Sequence, residues 1–82
     1  MLFTREVFCT VCGISAEQLT TWEREELIGP TRVLERKGGA MECLYGDKAI
    51  KRVRLIRSLG EELEVNLAGI GIILRLLEQL GR

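Results

Sequence analysis

Gly13-Ile14-Ser15-Ala16-Glu17-Gln18-Leu19-Thr20-Thr21-Trp22-Glu23 decides the fold, because its first residues carry several helix-start signals at once. Ser15 is placed as an N-cap whose hydroxyl accepts from a backbone N–H three residues on, while Gln18 reaches back to the Ser15 N–H and closes a capping box. Ile14 and Leu19 flank the cap as the two halves of a hydrophobic staple. Upstream, Thr4 to Val11 reads as a short helix with Phe3, Val7, Phe8 and Val11 apolar. Gly13 supplies the backbone freedom for a turn of three or four residues. Two short helices joined in this way are a helix-turn-helix, spanning about residues 4–28.

Downstream, Leu27-Ile28-Gly29-Pro30 ends the second helix, with Gly29 suited to the position after the last turn and Pro30 unable to continue it. Arg32 to Arg36 and Met41 to Tyr45 read as two strands around Lys37-Gly38-Gly39-Ala40, where paired glycines permit a hairpin turn. This wing, about residues 31–46, must lean on the helices through Val33, Leu34, Cys43, Leu44 or Tyr45, since an isolated hairpin is marginal in water. Asp47 is the expected next N-cap, and Ala49, Ile50, Val53, Ile56, Leu59 and Leu63 recur at helical spacing, predicting a helix over about 48–63 with Gly60 as its weak point. Asn66 is the expected cap of a last helix, Leu67 to Leu80. Its apolar residues cover nearly the whole circumference, and a helix apolar all round must be buried on more than one side. One stripe, containing Ile70, Ile73 and Leu77 or their neighbours, is expected to seal the monomer, and another to meet a second copy. The candidate homodimer residues are Ile70, Ile73, Leu74 and Leu77.

The chain has 82 residues, 46% of them apolar, which suits one small folded domain that a dimer interface or ligand would help to stabilise. Val65 to Leu80, the longest apolar run, is interrupted by Asn66, Arg75 and Glu78 and is short for a bilayer span, and no export signal precedes the fold, so a cytoplasmic location is expected. Cys9, Cys12 and Cys43 are an odd set without a disulfide framework, and with no histidine in the chain they fall short of a closed zinc site. They are expected to be inert thiols, with no metal and no cofactor. Nothing resembles a nucleophile elbow or a phosphate-cradling loop, so no enzymatic role is expected.

Formal charge is zero but unevenly spread. Residues 1–30 hold Arg5 and Arg24 against Glu6, Glu17, Glu23, Glu25 and Glu26, a net −3, whereas residues 47–59 hold Lys48, Lys51, Arg52, Arg54 and Arg57 against Asp47 alone, a net +4.

The order helix-turn-helix, Trp22-Glu23, Pro30 exit, wing ending in Tyr45 and two further helices resembles the N-terminal domain of the MerR-type winged-helix regulators. Phe8-Cys9 with Gly13-Ile14-Ser15 four residues on, then Glu17, Leu19 and Pro30, and above all Glu62-Leu63 with Leu67-Ala68-Gly69-Ile70-Gly71-Ile72-Ile73-Leu74-Arg75-Leu76-Leu77, resemble more closely the CbpM-like chaperone-modulator family within that superfamily. The resemblance implies a mainly α, MerR-type winged helix-turn-helix of about four helices plus a two-stranded wing, which binds and restrains the J-domain of a DnaJ-like co-chaperone. It departs from the DNA-binding members at Thr20, Thr21 and Trp22, where those commonly carry an Arg-Tyr-Tyr or Arg-Phe-Tyr run.

Two functions therefore compete. For protein binding, Glu17, Thr20, Glu23, Arg24 and Glu26 would form an acidic surface complementary to the basic helix that the resemblance implies in the partner. For DNA-dependent gene regulation, the alternative, Thr20, Arg24, Arg36, Lys37, Lys48, Lys51 and Arg52 would contact the duplex. An acidic second helix and a pI near 6.3 favour the first, because DNA-binding domains carry a marked basic footprint.

Overall fold

The computed structural model describes residues 1–81. Helix α1 (Arg5–Cys12) starts at Thr4, whose hydroxyl accepts from the Val7 N–H. It stops at Gly13, which sits at φ 68° and lets the Ile14 N–H turn back to the Cys9 carbonyl at 3.0 Å. Helix α2 (Ala16–Arg24) opens with both halves of the capping box, Gln18 N–H to Ser15 Oγ at 3.0 Å and Ser15 N–H to Gln18 Oε1 at 3.1 Å.

The exit from α2 differs from expectation. The helix ends at Arg24, and the left-handed residue of the exit is Glu26 at φ 59°, not Gly29. The Leu27 N–H bonds the Trp22 carbonyl at 2.9 Å, and Leu27 and Ile28 are thereby driven into the core. Burying two large apolar side chains outweighs the cost of a positive φ at a residue with a Cβ.

The wing has a third strand. β2 (Arg32–Glu35) and β3 (Met41–Tyr45) form the expected antiparallel hairpin, with Gly38 and Gly39 at φ 85° and 83° in its turn. The short β1 (Phe3–Thr4) pairs on the other edge of β3, Phe3 opposite Tyr45, so the order is β1-β3-β2. This pairing ties the start of α1 to the end of the wing.

Helix α3 (Asp47–Arg57) is capped by Gly46 instead of Asp47, which falls in the first turn, where its charge suits the helix dipole. Regular helix then gives way to a π-type turn at Ser58–Glu62 instead of continuing to Leu63. Gly60 sits there with room for only an ordinary contact to Ile70. Glu64 at φ 54° leads to Asn66, whose side chain accepts from the Gly69 N–H at 2.8 Å and starts α4 (Leu67–Leu80).

The core joins every helix: Phe8 stacks on Tyr45 with ring centroids 4.7 Å apart, and Leu19, Leu27, Ile56, Ile70 and Leu74 close around them. All the described residues that are buried are apolar, apart from the tyrosine hydroxyl and backbone groups. The candidate dimer residues of α4 divide. Ile70 and Leu74 are each 1% exposed and belong to the monomer core, so they are not free to face a second copy, while Ile73 is half-buried and packs against that core. The outward stripe is Ile72 (60% exposed), Leu76 (53%), Leu77 and Leu80 (82%). A Cβ added at Gly71 would stand 3.4 Å from Leu27 Cδ2, so the glycine lets this helix pack closely on the α2 exit.

Candidate partner-binding surface

Thr20 and Glu23 lie almost one turn apart on α2, and both point to Arg5, the first residue of α1. Arg5 Nη2 donates to the Thr20 hydroxyl at 2.7 Å, and Nη1 donates to Glu23 Oε1 at 2.5 Å and to the Tyr45 hydroxyl at 3.0 Å. Tyr45 in turn donates to Glu23 Oε2 at 2.9 Å. The Thr20 hydroxyl itself donates to the Ala16 carbonyl at 2.9 Å. One guanidinium thus joins α1, α2 and β3. The geometry follows from local structure: β1 places Arg5 beside the end of β3, and the capping box sets the angle at which α2 crosses it.

The network has an electrostatic signature. Burial, then the hydrogen bond to Glu23 and its negative charge, push the Tyr45 hydroxyl up to about 12, against a lowering by Arg5. The bond to Glu23 raises Arg5 above its ordinary value, so it stays a cation under any ordinary condition. Glu23 is thus paired within the chain by Arg5 and Tyr45 and is not a free surface charge.

The expected partner-binding set accordingly separates. Thr20 and Glu23 belong to the Arg5 network, whereas Glu17, Arg24 and Glu26 are exposed and, with Glu25, form no ion pair among the described residues. Arg5 and Tyr45 are the members that sequence reasoning missed. Arg5 stands 18 residues before Glu23 and Tyr45 22 after it, so helical periodicity carries no trace of the contact.

The expected DNA-contacting cations separate too. Arg36 is paired with Glu42 across the wing at 2.8 Å. Arg52 turns inward, its Nε donating to the Leu27 carbonyl at 2.7 Å and its Nη2 to Glu78 on α4 at 2.5 Å. Arg57, in the same basic run, donates through Nη1 to the Cys12 carbonyl at 2.9 Å and so satisfies the end of α1. Lys37, Lys48 and Lys51 remain exposed, as does Arg54. Arginine's planar fork suits Arg52 and Arg57 to bridging carbonyls and carboxylates between elements, whereas the three lysines, like Arg24 and Arg54, stay exposed.

Beside this surface an open groove of about 840 Å³ runs between the α2 exit, the start of α3 and Glu78, with Glu26, Leu27, Pro30, Lys48 and Arg52 in its walls. Burial raises the Cys9 and Cys12 thiols above their usual range, which suits unreactive side chains. Among the described residues no group of three or more His, Cys, Asp or Glu side chains is placed to hold a metal ion, and no helix is long and apolar enough to cross a membrane.

A family model described as MerR HTH family regulatory protein matches residues 3–82. No curated protein and no solved structure matches the chain.

Proposed function

We propose that this chain, which belongs to the MerR HTH family of regulatory proteins, binds and restrains the J-domain of a DnaJ-like co-chaperone through the exposed surface of α2. The supporting observation is the charge left on that surface once internal pairs are taken out. Glu17, Glu25 and Glu26 stand against Arg24 alone, while Arg5, Arg36, Arg52 and Arg57 are all engaged by carboxylates or carbonyls of the same chain. Such a surface attracts a basic protein helix and repels phosphates within a Debye length of about 8 Å at physiological salt. The J-domain as partner comes from the chaperone-modulator resemblance in Phe8 to Ser15 and Glu62 to Leu77. The exposed stripe Ile72, Leu76, Leu77 and Leu80 supports a homodimer joined through α4, and the cytoplasm is the setting that the chaperone-modulator resemblance implies.

The alternative, DNA-dependent regulation, draws support from Arg24, Lys37, Lys48 and Lys51, which are exposed and unpaired among the described residues. Titrating the purified protein with a J-domain and with a random-sequence duplex, each at two salt concentrations, separates the two. Saturable J-domain binding that weakens with salt is the expected result. Tight, salt-steep duplex binding without a J-domain signal reverses the order.

A further inference from the structure

The Arg5 network places a cation on the very surface that carries the proposed function, and then occupies it. Both terminal nitrogens of the guanidinium are used, Nη1 by Glu23 and Tyr45 and Nη2 by Thr20. The network is nonetheless open to solvent on one side, with the Arg5 side chain 36% exposed and that of Glu23 25% exposed. Among the described carboxylates of α2 and its exit, Glu23 alone has a cationic partner. A phosphate approaching Arg5 would have to displace a charge-assisted bond already at 2.5 Å and accept the repulsion of the displaced carboxylate at close range. Within the network, the Thr20 hydroxyl already donates to the Ala16 carbonyl and the Tyr45 hydroxyl to Glu23, so neither is free to donate to a phosphate.

We infer that Glu23 is the specificity-determining residue of this surface, excluding nucleic-acid phosphate by holding Arg5 and Thr20 in an internal network while leaving the outer glutamates free for a basic protein. The inference rests on the proposed function in assigning α2 as the binding face, and it adds the residue that discriminates between the two classes of partner. Glu23→Gln is the direct perturbation: the amide keeps the shape and one acceptor oxygen for Tyr45 or Arg5, but leaves the guanidinium charge uncompensated. Arg5 then gains a phosphate as its best counter-charge.

The test is the affinity of wild type, Glu23→Gln, Glu17→Gln, Tyr45→Phe and the Arg5→Gln/Glu23→Gln double variant for a random-sequence duplex across a salt series, with circular dichroism as the check on folding. Glu23→Gln is expected to bind about tenfold more tightly at low salt, and its log–log salt dependence to steepen by about one, the signature of one more neutralised phosphate. Glu17→Gln removes a charge from the same helix without releasing a cation, so its slope stays that of wild type. The double variant returns to the wild-type slope. Tyr45→Phe removes two charge-assisted hydrogen bonds of the network, one to Glu23 and one from Arg5, but keeps the ion pair, so its salt slope stays that of wild type. A folded Glu23→Gln protein with wild-type affinity and slope overturns the inference, as does a double variant that binds as tightly as Glu23→Gln. Were Glu23→Gln to lose its fold, a rise in duplex binding by Tyr45→Phe would overturn it independently. A J-domain titration of wild type reads the functional proposal separately: its failure removes that partner, while the duplex series still decides the role of Glu23.

Discussion

Raising the pH on the wild-type protein probes the Arg5 network without any substitution, because Tyr45 is the one tyrosine in the chain and its ionisation is read directly from tyrosinate absorbance. Its side chain is fully buried against Phe8, and its hydroxyl donates to Glu23, an interaction that the phenolate cannot make. Burial and Glu23 together push the group from 10 up to about 12, although Arg5 pulls the other way. A rise from 10 to about 12 corresponds to roughly 3 kcal/mol of preference for the phenol in the folded state. The sign follows from linkage: a folded value above the unfolded one gives stability that is fully present below about pH 10 and is lost as pH rises from there toward 12. The expected titration therefore has its midpoint near 12 in the folded protein and near 10 in denaturant. Far-ultraviolet circular dichroism recorded alongside should show helix loss beginning above pH 10, not below it. Glu23→Gln removes both the acceptor charge and its repulsion of the phenolate, so the midpoint should fall. A midpoint near 10 while the helical signal is intact would refute the buried hydroxyl–carboxylate contact, and with it the geometry of the whole network.

Three further outcomes follow from the packing. Leu74→Ala should cost about 2–5 kcal/mol in urea unfolding, as expected for a fully buried leucine, whereas Ile72→Ala should stay within about 0.5 kcal/mol for the monomer and weaken self-association measured by light scattering. Arg52→Ala, which strands the Leu27 carbonyl and frees Glu78, should cost about 1–2 kcal/mol, while Lys51→Ala, one residue away and exposed, should be near neutral. Gly13→Ala should cost about 1 kcal/mol in thermal unfolding, because the residue sits at φ 68° while an added Cβ would meet only the Arg57 side chain at 3.7 Å.

The outcome of these tests bears on which features can be read from a chain and which cannot. The capping box at Ser15 and Gln18, the turn at Gly13, the hairpin glycines and the Asn66 cap were legible because each is a local event: a side chain answers a backbone group within three or four residues, and spacing alone brings them together. The winged helix-turn-helix follows from the order of those signals, and residues 3–82 match the MerR HTH family. Where local rules gave competing answers, burial chose between them. Glu26 took the left-handed turn in place of Gly29 because Leu27 and Ile28 had to reach the core, and α3 loosened into a π-type turn at Ser58–Glu62, beside Ile70.

Charge was the least legible property. A count of residues makes α2 acidic and α3 basic, but a count has no partners. Only when β1 pairs with β3 does Arg5 come within reach of Glu23, and only when α3 packs beside the α2 exit and α4 docks does Arg52 find the Leu27 carbonyl and Glu78. The fold class was thus set by interactions between near neighbours along the chain. Apart from local pairs such as Arg36–Glu42 across the wing, the electrostatic face shown to a partner was set by contacts spanning 15 to 45 residues, which come into being only once the core has closed and brought distant side chains to hydrogen-bonding range.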